Sequence, residues 1–355
     1  MPSGWPEIHC DIPEMIHHEK TGLLVEERFV EGLVRSLYWL IEKSEMLTNP
    51  IVSIIIPTYN RAGLLHYAIR SVLGQTFQDF ELIIVDDGSY DNTEQVVKGI
   101  HDPKIRYLRH ETNRGGSAAR NTGIMHARGK YIGLLDDDDE WYSGKLQKQM
   151  DIFKVLSDDY GLVYTGFAFV SMESREILHN ISPTLKGYLF IDLLKSNILG
   201  SPTPLIKKSC FEKAGYFDEK LPSVQDWDMW IRISKYYKYD FVPNVLARHY
   251  VHKDQISANL HNKIEGREIL MDKFQMDLLK YPSIYANHLK QLGILCCLAE
   301  NRIKGRNYLL RSLRIRPLQK GVYLNLIFSF LGKGQHRNLI ERHYLPPVGE
   351  VNLYK

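Results

Sequence analysis

Short β-branched apolar runs, separated by stretches of helical periodicity, organise the middle of this 355-residue chain. The runs are Ile51-Val52-Ser53-Ile54-Ile55-Ile56, Phe80-Glu81-Leu82-Ile83-Ile84-Val85 and Tyr131-Ile132-Gly133-Leu134-Leu135. Each reads as a buried strand. Helical patterns run roughly from Gly63 to Leu73, from Asn92 to Ile100 and from Ser117 to Ala127. This alternation predicts βαβ units, hence an α/β fold with a mostly parallel sheet flanked by helices. A polar cluster follows each run: Pro57-Thr58-Tyr59-Asn60-Arg61, Asp86-Asp87-Gly88-Ser89 and Asp136-Asp137-Asp138-Asp139. All three then fall on the carboxyl edge of the sheet, where open α/β folds bind ligands.

Four adjacent carboxylates repel one another unless a cation neutralises some of them. Hard oxygen donors at a strand end favour Mg²⁺ or Mn²⁺, with substrate phosphates completing the shell. The plainer alternative is a solvated acidic turn. The neighbouring loops add carboxylates suited to ribose or base, an aromatic ring for stacking and Arg for phosphate.

From about Pro50 to Ser257 the chain resembles a family 2 glycosyltransferase of the GT-A fold. Val52–Arg61 is similar to that family's opening strand, and Ile84-Val85-Asp86-Asp87-Gly88-Ser89 to its nucleoside-binding turn. Asn113-Arg114-Gly115-Gly116-Ser117-Ala118-Ala119-Arg120 resembles its Gly-rich loop and helix, and Leu135–Trp141 its Asp-x-Asp metal motif. Gly215-Tyr216-Phe217-Asp218 and Gln225-Asp226-Trp227-Asp228 match the segment that supplies a catalytic base, with Gln225 where Glu is usual. Arg248-His249-Tyr250-Val251-His252 is similar to a segment near the diphosphate and metal.

The resemblance implies a role for each matching residue. Asp226 would be the catalytic base. Pro57, Thr58, Tyr59, Asn60, Arg61, Asp86, Asp87, Asn113, Gly115, Arg120, Asp136 and Asp137 would bind the nucleotide, and Asp138 and His252 the metal. Thr203, Pro204 and Gln225 would line the acceptor site. It also implies a Mg²⁺ or Mn²⁺ cofactor, a nucleotide-sugar donor (a UDP-sugar first) and a saccharide or lipid-linked acceptor. Structural readings stand beside these. Asp226 precedes a periodic run and suits a helix N-cap. Asp228 suits the first turn of a helix, and Arg232 suits helix surface or an ion pair. Gly115-Gly116 suits a loop that starts a helix, Pro202-Thr203-Pro204 suits a turn, and His252 is one of fourteen histidines.

Composition leaves this picture unchanged. Apolar content of 44% and charged content of 25% are those of an ordinary globular protein, a net charge of +3 implies nothing strong about partners, and no nucleic-acid partner is expected. Cys10, Cys210, Cys296 and Cys297 lack zinc or disulfide spacing, and no apolar run reaches the ~18 residues that span a bilayer. A cytoplasmic protein is expected, peripheral to the inner face of the membrane if its basic C-terminal flank binds there.

The flanks divide the chain into 1–47, 48–260 and 261–355. In the first, Ile12-Pro13-Glu14-Met15-Ile16 and Lys20-Thr21-Gly22-Leu23-Leu24-Val25 resemble the end of a family 4 GT-B glycosyltransferase, too short a remnant to form a core alone. A helix with an apolar stripe (Val30, Leu33, Val34, Leu37, Leu40, Ile41) should follow. In the third, helices are expected over Tyr285–Glu300 and Arg302–Arg314. Residues 301–342 carry ten Lys/Arg against one acid, Glu341, interleaved with leucine and phenylalanine. That pattern suits an anionic membrane surface or a helical cap on the catalytic domain.

The resulting expectation is a metal-dependent, inverting glycosyltransferase of surface polysaccharide or glycan assembly. A sugar-phosphate nucleotidyltransferase and a catalytically silent nucleotide-sugar-binding module are the alternatives. The first lacks its Gly-rich, basic N-terminal loop here, and retention of Asp138 and Asp226 argues against the second.

Overall fold

The computed structural model describes residues 49–252 and 259–330, together with Gly32 and Val34. Two compact units divide the chain, Met1–Ser44 and Glu45–Lys355. In the first, Gly32 and Val34 are helical and exposed. The family 4-like stretch and the rest of the apolar stripe lie outside the described residues, as do residues 331–342 of the basic flank.

In the second unit the three apolar runs become β1 (Val52–Thr58), β2 (Phe80–Asp86) and, after a short β3 (Ile105–Arg109), β4 (Tyr131–Leu134). Every residue of β1, β2 and β4 is buried. The helices between them are α1 (Ala62–Leu73), α2 (Thr93–Lys98) and α3 (Gly116–His126). There follow β5 (Glu140–Trp141), α4 (Lys145–Phe153), β6 (Tyr160–Ser171) and β7 (Ile177–Ile181). Next come α5 (Phe190–Lys195), β8 (Leu205–Lys207), α6 (Ser209–Ala214), α7 (Gln225–Ser234) and β9 (Lys238–Val251). Five helices close the described chain: α8 (Leu260–Lys273), α9 (Gln275–Leu278), α10 (Pro282–Leu298), α11 (Arg302–Ile315) and α12 (Lys320–Phe328).

One sheet runs in the order β3-β2-β1-β4-β8-β6-β9-β5, with β7 on β6. β1 lies parallel to β2 and β4, and β2 to β3. The register pairs Thr58 with Asp86 and Ile55 with Leu134, so the three polar clusters open on one edge, as the pattern implies. Beyond β4 the sheet is mixed: β8 is antiparallel to both β4 and β6, whereas β6 and β9 are parallel.

Side chains alternate across β1. Ile55 faces one core with Trp230 of α7 and Leu270, Leu289 and Leu292 of the C-terminal helices. Ile54 and Ile56 face the other with Leu65, Ile69 and Val72 of α1 and Trp141. The C-terminal helices therefore share a core with the sheet.

Helix α3 approaches β1 closely at Gly123, where an added Cβ would stand 2.4 Å from Ile55 Cγ2. Gly123→Ala should overpack this fully buried contact and lower stability by about 1–3 kcal/mol. An unchanged denaturant midpoint in the variant would contradict that packing.

Candidate nucleotide and metal site

At the end of β4 the backbone turns on itself, with Asp139 N–H donating to Asp136 O at 3.1 Å. The turn sends the four carboxylates in different directions. Asp136 accepts from Arg120 Nη2 at 2.5 Å and Ser201 Oγ at 3.0 Å. Asp137 points inward, accepting from Thr58 Oγ1 at 2.7 Å and Arg61 Nη1 at 3.1 Å, and burial pushes its carboxyl up to about 7. Asp138 is paired with Arg61 and with His252 Nε2 at 2.9 Å. Its burial is outweighed by His252 and Arg61, which hold its carboxyl below the usual range. Asp139 is fully buried against His249 Nδ1 (2.9 Å) and the Tyr250 N–H (3.1 Å). Burial acts to lower the His249 pKa, but the facing Asp139 carboxylate outweighs it and raises the ring to about 9.

One oxygen each of Asp136, Asp138 and Asp139 lies within 4.8 Å of the others. Three hard oxygen donors so close together suit Mg²⁺ or Mn²⁺. Asp138 and His252 meet as the sequence implies. Asp139 and His249 were not foreseen, and Asp137, which the sequence also places with the nucleotide, turns to Thr58 and Arg61.

On the neighbouring loops, Asp86 accepts from Ser89 N–H at 2.8 Å and from the Tyr107 hydroxyl. Asp87 accepts from Arg114 N–H (2.9 Å) and Gly115 N–H (2.7 Å), tying the Gly-rich loop to β2, and pairs with His110 Nδ1 at 2.7 Å. Gly115 caps α3 at φ +91°, a conformation that glycine adopts without strain. Asn60, at φ 52°, accepts from Tyr90 N–H at 2.9 Å. Tyr59 is 39% exposed and meets Tyr90 edge-on, their centroids 6.3 Å apart. Asn113 is exposed, and Pro57 is buried within β1.

Helix α7 presents Asp226, which accepts from Asn197 Nδ2 at 2.9 Å. Burial pushes its carboxyl above the usual aspartate range. The N-cap reading of Asp226 is corrected: Val224 is the cap, at φ 55°, and Asp226 lies in the first helical turn. Asp228 also lies in that turn but is fully buried between Arg232 Nε (2.9 Å) and Lys273 Nζ (2.8 Å), so Arg232 is an ion-pair partner. Gln225 Nε2 donates to Leu221 O at 2.9 Å. Thr203 is fully buried, its hydroxyl donating to Gly200 O at 2.8 Å, and Pro204 is buried beside it. The turn reading describes this segment, and an acceptor-site role for Thr203, Pro204 and Gln225 is a proposal. In the same segment Asn197 and Ser201 reach the carboxylates instead.

The family model for glycosyl transferase family 2 matches residues 53–214. An uncharacterized glycosyltransferase of Rickettsia prowazekii (strain Madrid E) is 35% identical over 237 residues, 65% of this chain and 74% of that protein. WcaA of Escherichia coli (strain K12), named as a colanic acid biosynthesis glycosyl transferase, is 34% identical over 200 residues, 53% of this chain and 67% of its own length. The match covers only 39% of a longer relative from Rickettsia felis. Among solved structures, Staphylococcus aureus TarS 1–349 in complex with UDP-GlcNAc superposes with a TM-score of 0.59 at 17% identity, covering 82% of this chain and 91% of that one. The mannosyltransferase PcManGT of Pyrobaculum calidifontis, in complex with GDP-Man and Mn²⁺, gives 0.54 at 18% identity, covering 84% and 85%. The chain belongs to glycosyltransferase family 2, and its fold is that of these enzymes.

If Asp138 ligates the metal, Asp138→Ala should weaken Mn²⁺ binding by more than about tenfold, since even losing a partner of a ligand costs 10–100-fold. Titration calorimetry with Mn²⁺ measures this. Equal affinities in variant and wild type would leave the acidic turn without a metal role at Asp138.

Proposed function

We propose that the chain transfers a sugar from a nucleotide-sugar, a UDP-sugar first, to a hydroxyl of a saccharide or lipid-linked acceptor in surface polysaccharide or glycan assembly. The anomeric centre inverts by direct displacement. The observation that carries this reading is that Asp136, one of the three clustered carboxylates, and its partner Arg120 both act on the partly buried Asp226 of α7. The UDP-GlcNAc bound to TarS and the GDP-Man and Mn²⁺ bound to PcManGT support a nucleotide-sugar donor and a divalent metal.

Asp138 and His252, with Asp136 and Asp139 around them, would hold Mg²⁺ or Mn²⁺. Such a cation supplies Lewis-acid stabilisation of charge on a departing diphosphate. Arg61 and Arg120 face the same space as fixed positive groups suited to phosphate oxygens. Tyr59 offers an exposed ring face for a base. Asp226 takes the proton of the attacking hydroxyl, a role that requires its ionised form.

Asp226→Asn should leave nucleotide-sugar binding nearly intact and lower turnover by roughly 10²–10⁴. Because burial raises the Asp226 pKa, the wild-type rate should climb with pH along a limb above the value of about 3.9 for an exposed aspartate. Wild-type turnover in the variant would remove Asp226 from the reaction.

A second partner is proposed for the basic flank. Residues 301–330 contain seven Lys/Arg (302, 304, 306, 311, 314, 316, 320) and no acid. Ile303, Leu310, Leu318 and Ile327 are exposed among them. No helix of the described residues is long and apolar enough to cross a membrane. The pattern supports peripheral contact with an anionic lipid surface, where a lipid-linked acceptor would lie. Co-sedimentation should favour anionic over neutral vesicles, with the difference shrinking as salt rises. Equal recovery with both vesicle types would refute it.

A further inference from the structure

One short segment, residues 196–204 between α5 and β8, touches both halves of the site. Asn197 Nδ2 donates to Asp226 Oδ2 at 2.9 Å, and four residues later Ser201 Oγ donates to Asp136 Oδ2 at 3.0 Å. The segment is anchored on both sides of these contacts. Leu199 is buried, and Gly200 packs so close to Phe167 that a Cβ would stand 2.8 Å from its ring. Pro202 O accepts from Trp141 Nε1 at 2.8 Å, and Thr203 O from Gln149 Nε2 at 2.9 Å. Asn197 Oδ1 is buried without a hydrogen-bond partner, an arrangement that disfavours the folded state. The amide is thus committed to Asp226 through its donor end alone.

We propose that residues 197–201 form a positioning strap, in which Asn197 orients the proton-accepting carboxylate of Asp226 and Ser201 orients Asp136 on the donor side. The proposal rests on the reading of Asp226 as proton acceptor. Oδ2 of Asp226 is engaged by the amide and the Trp227 N–H also donates to this carboxylate, whose remaining lone pairs are left to meet an attacking hydroxyl. Because both contacts come from one anchored loop, the strap fixes the spacing of the two carboxylates. That spacing matters, because a misplacement of about 1 Å costs on the order of 10²-fold in rate. The amide donor also stabilises the ionised form of Asp226. Other groups act on it from the neighbouring elements: Arg120 of α3 favours ionisation and Asp136, after β4, opposes it.

The test uses the full chain and two readouts. The first is the carboxyl resonance of Asp226 in ¹³C-aspartate-labelled protein, identified by its loss in Asp226→Asn. In Asn197→Ala its titration midpoint should rise by about one pH unit, the worth of one hydrogen bond to a charged group. In Asn197→Asp, where a second carboxylate faces it, the rise should be larger. Ser201→Ala should leave it in place. The second is the pH profile for hydrolysis of UDP-GlcNAc or, if the wild type does not turn that over, GDP-mannose. Its rising limb should move with the resonance midpoint, while KM stays within about twofold and kcat falls on the order of tenfold to 10²-fold. If the midpoint is unchanged in both Asn197 variants, the strap is refuted and Asp226 keeps its role. If the midpoint moves and the rate limb does not, Asp226 is not the proton acceptor, and the catalytic role of Asn197 falls with it.

Discussion

Mutual repulsion among four adjacent carboxylates is the constraint around which this edge of the fold is built. A turn at the end of β4 points them in different directions, and each then meets polar or charged partners, with Arg61 shared by two of them. Arg120 and Ser201 serve Asp136, Thr58 and Arg61 serve Asp137, Arg61 and His252 serve Asp138, and His249 serves Asp139. These partners come from β1 and the loop behind it, from α3, from the segment before β8 and from the end of β9. Placing them at one point requires the sheet order to be right, since β9 is held beside the acids by its pairing with β6 on one side and β5 on the other. The site and the topology are therefore one problem. A sheet that failed to bring β9 home would leave Asp139 buried without its histidine, an expensive state for an ionised group.

How much of this could be read in the sequence follows from the same geometry. β1, β2 and β4 were legible because strands buried on both faces are continuously apolar. β5 and β8, two and three residues long, exist only through tertiary pairing and leave no periodic trace. The family likeness pointed to Asp138, His252 and Asp226, which the structure sets around one edge. It did not reach His249, because the pairings of β9 with β5 and β6, distant in sequence, bring that residue beside Asp139. Asn197 and Ser201 were equally hidden, since nothing local relates Asn197 to Asp226 or Ser201 to Asp136. The N-cap reading of Asp226 failed for a backbone reason. Val224 takes the left-handed conformation and starts the helix two residues earlier than side-chain preference suggests.

Val224 also bears on how the site is held. A β-branched residue at φ 55° is strained and persists only where its surroundings over-determine it. Those surroundings come largely from the C-terminal helices. Ser223 Oγ donates to Asn262 O at 2.8 Å, and Gly266 of α8 lies so close that a Cβ would stand 2.4 Å from that hydroxyl oxygen. Lys273 of α8 reaches Asp228, and His288 of α10 stacks on Trp227 with centroids 5.6 Å apart. Burial drives His288 down to about 4, so the ring stays neutral at physiological pH and sits in the core without a charge.

The first turn of α7 is therefore divided between two tasks. Asp226 faces the acidic edge, whereas Trp227 and Asp228 face the C-terminal helices. Asp228 carries the larger electrostatic burden, because a fully buried carboxylate is tolerable only with both Arg232 and Lys273 in place. Arg232 in turn donates to the carbonyls of Ala214 and Tyr216, tying the Gly215-Tyr216-Phe217-Asp218 loop into the same network. That loop reaches α3 through Asn121, whose amide exchanges hydrogen bonds with Phe217 N–H at 2.8 Å and Phe217 O at 2.9 Å. Since α3 also carries Arg120, a chain of polar contacts runs from Lys273 through Asp228 and Arg232 to the 215–218 loop, and from that loop through Asn121 to the helix whose Arg120 pairs with Asp136. In this way α8 braces both Asp226 and Arg120. The C-terminal helices are part of what holds the site in register.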